Sequence, residues 1–92
     1  MRVVYKYILE LGRFCDTFSI PIDARFLTLQ LQHGNISLWF DVEQDYQCNR
    51  ESRKFYLAGT GQAIIRGSDV YFGTVQVDGF VWHVYEDIKE GE

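Results

Sequence analysis

The stretch from Phe26 to Val42, FLTLQLQHGNISLWFDV, alternates apolar and polar residues on either side of His33, Gly34 and Asn35. A side-chain period of two marks a half-buried strand, and turn-forming residues between two such runs make a hairpin. Read this way, Leu27, Leu29 and Leu31 share one face with Ile36, Leu38, Phe40 and Val42, and that face is expected in the core. The opposite face carries Thr28, Gln30, Gln32, Ser37, Trp39 and Asp41. Trp39 is the large aromatic on that polar side, so another segment covers it or a partner uses it.

Working outward, Val3, Tyr5, Tyr7, Leu9 and Leu11 alternate with Val4, Lys6, Ile8 and Glu10, which reads as a first strand. Gly12 and Arg13 break it. Thr17 to Ile20 forms a short strand closed by Pro21, which has no N–H to give to a ladder, and Pro21 to Arg25 makes a corner. After the central hairpin, Asp41 to Glu51, DVEQDYQCNRE, has no period and reads as the longest loop. Arg53 to Ala58 resumes alternation, with Phe55 and Leu57 opposite Lys54 and Tyr56, and ends at Gly59-Thr60-Gly61. The AIIR run within Gln62 to Asp69 fits a single helical turn or a loop. Tyr71 to Val77 and Phe80 to Glu86 are joined by Asp78-Gly79, a strong hairpin signal. The acidic tail Asp87 to Glu92 is expected to fray. The expectation is an all-β fold over residues 1–92, a small antiparallel β-sandwich or partly open barrel of six to seven strands, with at most one short helical turn.

Hydrophobic residues form 47 % and aromatics 16 % of the 92 residues, enough to fill one core at this length. The net charge of −4 argues against general nucleic-acid binding. Cys15 and Cys48 lack metal-ligand spacing and read as reduced thiols. No run approaches the roughly 20 apolar residues that span a bilayer, and MRVVYKYILELG lacks the pattern of a secretory signal. A cytoplasmic address and no membrane contact are expected.

A nucleophile–base constellation would need a histidine beside a hydroxyl or thiol and an orienting acid. His33 falls in a turn, and His83 falls on the last strand facing away from Trp82, so no catalytic residue is assigned. Asp41, Glu43 and Asp45 lack the glycine and terminal glutamate of a calcium loop, and no metal or cofactor is expected. Two features could hold a ligand. In the first, Gly59-Thr60-Gly61, Gln62 and Arg66 offer amides, a hydroxyl and a guanidinium to a phosphate, although the same glycines also suit a plain strand-ending turn. The second is the basic run Arg50, Arg53 and Lys54 beside Tyr56 and opposite Trp39, where charge and stacking suit a nucleotide, or where charge simply protects a strand edge.

Five phrases, KY-x-LE from Lys6, LQ-x-QHG-x-x-SLWF through the hairpin, RKF-x-x-x-GTG, Y-x-GTVQ and WHVYE, run through nearly the whole chain. In these the chain resembles a family of small uncharacterised proteins of tailed bacteriophages and prophages. Its signature falls on Gly59, Thr60, Gly61, Gly73, Thr74, Trp82, His83 and Glu86, while residues 41–51 depart from the family's proline-containing loop. The resemblance implies a non-enzymatic binding protein that antagonises a bacterial defence system in the host cytoplasm, by binding a host defence protein or by sequestering a small signal nucleotide. A nucleotide would be held by Thr60, Gln62 and Arg66 at phosphate, with Trp39 or Tyr56 stacked on the base. The alternative is an oligomeric structural or accessory phage protein with no small-molecule ligand. A homo-oligomer suits either, because short sheets have edges that need pairing or cover.

Overall fold

Alternation along the chain becomes seven antiparallel strands in a computed structural model that describes residues 1–11, 15–43, 49–62 and 69–88. These are β1 (Arg2–Leu9), β2 (Cys15–Pro21), β3 (Arg25–Gln32), β4 (Asn35–Glu43), β5 (Arg50–Gly59), β6 (Asp69–Val77) and β7 (Phe80–Asp87). They form a three-stranded sheet in the order β1-β4-β3 and a four-stranded sheet in the order β2-β5-β7-β6. Inward side chains of both sheets meet in a shared core, so the expected sandwich is what forms, with no helix among the described residues. The AIIR run lies outside them.

Both hairpins have two-residue tips. His33 and Gly34 have φ of 53° and 79°, and Asp78 and Gly79 have 53° and 82°. Positive φ at both central residues defines the turn whose twist matches that of paired strands. Asn35, expected in the first turn, is instead the first residue of β4.

At the centre of the core Phe40 is fully buried, with the rings of Tyr7 and Phe26 each 5.7 Å away and Phe55 at 6.0 Å. Truncating such a ring to alanine costs about 3–5 kcal/mol. Two bulges shape this cluster. In β3 the register against β4 slips between Phe26 and Thr28, so Leu27 turns outward and is 50 % exposed. The expectation that Leu27 lies in the core is therefore corrected: Phe26 takes its place. In β6 the register against β7 slips between Tyr71 and Gly73, and Phe72 swings in to stack on Phe26 at 4.1 Å. The two bulged strands are edges of opposite sheets and touch along this seam. At Gly73 a Cβ would lie 2.6 Å from Leu29 Cδ2, so a larger residue there would push the Leu29 side chain aside.

Other expectations also shift. Leu31 stands opposite Ile36 but stays 39 % exposed near the hairpin tip, and Leu11 lies past the end of β1. Residues 41–43 and 50–51, read as loop, continue β4 and β5. Their polar side chains suit a strand because their partners come from distant strands. Asp41 accepts from Arg2 at 2.5 Å and from Arg25 at 3.0 Å, and Glu43 pairs with the N-terminal amine. Ser37 is fully buried on the polar face, between Lys6 and Gln32, which hydrogen bond across β4 at 2.6 Å. Pro21 ends the edge strand β2, and Ala24 N–H closes the corner on its carbonyl at 3.0 Å. Cys15 is free and exposed; Cys48 lies outside the described residues.

Candidate functional site

The chain leaves β5 through Gly59, Thr60, Gly61 and Gln62, beside the tip of the β6–β7 hairpin. There a cleft of about 650 Å³ opens, lined among the described residues by Gly59, Thr60, Gln62, Gly79, Phe80, Val81 and Trp82. None of these carries a charge. Phe80 directly follows the hairpin tip and is 66 % exposed, whereas Trp82 faces inward and packs against the core. An apolar concavity with a few polar groups at its rim is the usual form of a binding site.

The turn uses most of its amides internally. Gly59 N–H donates to Gln62 Oε1 at 2.7 Å, Gln62 N–H to the Gly59 carbonyl at 3.0 Å, and Thr60 N–H to the Val81 carbonyl at 3.3 Å. Three amides of the turn, that of Gly59 among them, are spent closing it on itself and on β7. The Thr60 hydroxyl is engaged as well, 2.9 Å from His83 Nε2, while His83 Nδ1 lies 2.9 Å from the Thr74 hydroxyl, which in turn meets the phenol of Tyr71. His83 and Thr74 are cross-strand neighbours, so the register places these groups in line. The conspicuous residues of the last strand and its neighbours fall into three places. Thr60, Thr74 and His83 share this line, Trp82 lines the cleft, and Glu86 pairs with Arg53.

The remaining described candidates do not converge on the cleft. Trp39 lies on the outer face of the three-stranded sheet, in a shallow depression of about 330 Å³ with Val4, Leu27, Thr28 and Gln30. Tyr56 lies on the outer face of the four-stranded sheet, its ring stacked on Tyr85 at 5.6 Å. A ligand bridging Trp39 and Thr60 would have to cross the sandwich. Arg66 falls outside the described residues. The basic run is not a patch, because consecutive strand residues point to opposite faces. Arg53 points inward, where it grips Glu86 through two bonds of 2.6 and 2.8 Å, donates to the Ala24 carbonyl and lies 5.1 Å above the Phe40 ring. Hydrogen bonding to Glu86 holds its pKa above the ordinary guanidinium value in spite of burial. Lys54 points outward, opposite Asp87 and Thr17, and Arg50 is tied to Ser19.

Period alone does not mark the cleft, since alternation only puts Phe80 and Trp82 on one face of the last strand. The available signal was an aromatic placed immediately after Asp78-Gly79, where hairpin ends are ordinarily polar. Among the described residues no group of three or more His, Cys, Asp or Glu is arranged to hold a metal ion, and no helix is long and apolar enough to cross a membrane.

A family model described as domain of unknown function (DUF7352) matches residues 1–92. The chain belongs to this family. No curated protein and no solved structure matches it. Within the DUF7352 chain, then, the cleft and its hydrogen-bonded rim are the features that a functional reading has to explain.

Proposed function

We propose that this DUF7352 protein is a non-enzymatic binding module of phage origin that antagonises a bacterial defence system by engaging a host protein through the cleft between the Gly59–Gln62 turn and the β6–β7 tip. The single observation that carries the reading is Phe80, a ring left 66 % exposed at a concavity whose described lining residues are uncharged. Aromatic anchors beside such pockets supply much of the energy of protein–protein contacts. Engagement of a host protein is favoured over sequestration of a nucleotide because the Gly59, Thr60 and Gln62 amides have internal partners. The phage-like phrases of the sequence support the biological setting.

The test is plating efficiency. Phage restricted by a defence system are plated on cells expressing the chain or its Phe80→Ser variant, and the host protein retained by each is identified. The expected result is relief of restriction by at least one defence, lost with Phe80→Ser together with the retained protein. The variant should fold, because the ring is mostly outside the core. No relief across a panel of defences overturns the reading. A thermal-shift panel of cyclic and linear nucleotides runs beside it, since a ligand at 100 times its Kd adds about 2.7 kcal/mol; a clear shift would restore the nucleotide version.

One observation favours a second reading, that of an oligomeric accessory protein. Val4 is 56 % and Leu27 50 % exposed around Trp39 on the outer face of the three-stranded sheet. Sedimentation of the wild type against Leu27→Glu tests it; a monomer at all concentrations excludes it.

A further inference from the structure

Tyr71, Thr74, His83 and Thr60 form an unbroken line of hydrogen bonds that starts on β6, crosses β7 and ends at the lip of the cleft. Each hydroxyl can both donate and accept, and a neutral imidazole has one nitrogen of each kind. The line is therefore self-consistent in two directions. With the proton on Nδ1, His83 donates to Thr74, Thr74 donates to Tyr71, and Thr60 donates to Nε2. With the proton on Nε2 every bond reverses: Tyr71 donates to Thr74, Thr74 to Nδ1, and His83 to Thr60, which frees the Thr60 O–H for another acceptor. An imidazolium donates from both nitrogens and enforces the second arrangement at Thr60.

We propose that Thr60 is the polar reading point of the cleft and that His83, when it donates from Nε2, sets it as a donor, so the cleft takes an apolar side chain of a partner protein together with its adjacent main-chain carbonyl. The inference rests on the cleft being a binding surface. An uncharged acceptor is specified because no charged side chain lines the cleft among the described residues, and a charge buried there would lose water without gaining a counter-ion. Thr60 is exposed, so its free O–H is open to such a group.

Linkage gives the inference a signature that simple packing would not show. Binding of an acceptor at Thr60 and protonation of His83 favour each other reciprocally. Among the described residues, the groups facing His83 are uncharged. Ala58 and Tyr56 come from β5, Thr74 and Tyr71 from β6, Val81 and Tyr85 from β7, and Thr60 from the turn, so among the described residues the titratable neighbours are tyrosines. Lys54, Asp87 and Asp69 occupy the far end of the same face.

Acetophenone, which carries a carbonyl, and ethylbenzene, which lacks one, are titrated into the whole chain and followed by backbone amide NMR at about pH 5 and about pH 8, either side of the range in which imidazoles titrate. Both should shift the amides of Thr60, Gln62, Val81 and Trp82. Acetophenone should bind roughly two- to tenfold more tightly at the lower pH, the worth of one hydrogen bond, whereas ethylbenzene should show no such change. His83→Asn should abolish the pH effect. Thr60→Val, which keeps the shape, should erase the advantage of acetophenone while both probes still bind. Equal binding of the two probes at both pH values overturns the role of the line and leaves the cleft standing. Absence of any shift at these amides overturns the cleft itself.

Discussion

The two hairpins share a design, a two-residue tip with positive φ and a bulge in the first strand, yet one serves as frame and the other as site. After the first tip comes Asn35, and β4 is then covered on its outer face by the Lys6–Gln32 bond and the Arg2–Asp41–Arg25 ion pairs. After the second tip comes Phe80, and the end of β5 turns back beside it to complete a concavity. A tip therefore becomes a site through what is placed next to it, while its own backbone is ordinary. The second hairpin is also anchored differently, because Glu86 of β7 is gripped from inside the sandwich by Arg53.

The largest effect should come from breaking that grip. Arg53→Met leaves Glu86 buried and unpaired and should cost about 3–5 kcal/mol in urea denaturation, a large share of a small domain's stability. Adding Glu86→Leu should recover most of it, since apolar replacement of a buried pair is often neutral. If the single variant loses under about 1 kcal/mol, the second hairpin is held no more firmly than the first.

A smaller effect is expected where the hairpins meet. Gly73→Ala forces a methyl into Leu29 and should cost about 1–3 kcal/mol; Leu29→Ala added to it should cost less than the two changes summed, as contacting residues couple. Strict additivity would mean that the seam is looser than the 2.6 Å approach implies.

The smallest effect belongs to the first hairpin and appears only in acid. Hydrogen bonds from Arg2 and then Arg25 hold the Asp41 carboxyl below the ordinary range. A depressed folded-state pKa contributes stability that is complete above the unfolded value of about 3.9 and is lost as pH falls through the lower folded one. Asp41→Asn should flatten this acid limb, measured as Tm between about pH 5 and pH 2. An unchanged limb would place the acid sensitivity elsewhere.

Strand positions and both hairpin tips were legible because alternation and Gly-containing tips are local signals. The bulges were not. FLTLQ keeps an apolar residue at both Phe26 and Leu27, so period two accepts either as the inward one, and the choice is made by Phe72 from a strand far along the chain. Residues 41–43 read as loop for the same reason, since their charges are answered by Arg2, Arg25 and the N-terminus. Of the candidate site, Thr60 and Gln62 were legible from the glycine-flanked turn. The fate of its amides was not, because Val81 and His83 reach it only through the β5–β7 register.

Pairing β1 with β4 and β2 with β5 sets an order of assembly on the ribosome. Translation at about 5–20 residues per second leaves β1 waiting roughly a few seconds before its neighbour emerges, whereas each hairpin finds its mate at once. The β1 edge, apolar at Val3, Tyr5 and Tyr7, stays uncovered through that interval, and Lys6 in its middle supplies the charge that discourages strand-to-strand clumping between nascent chains.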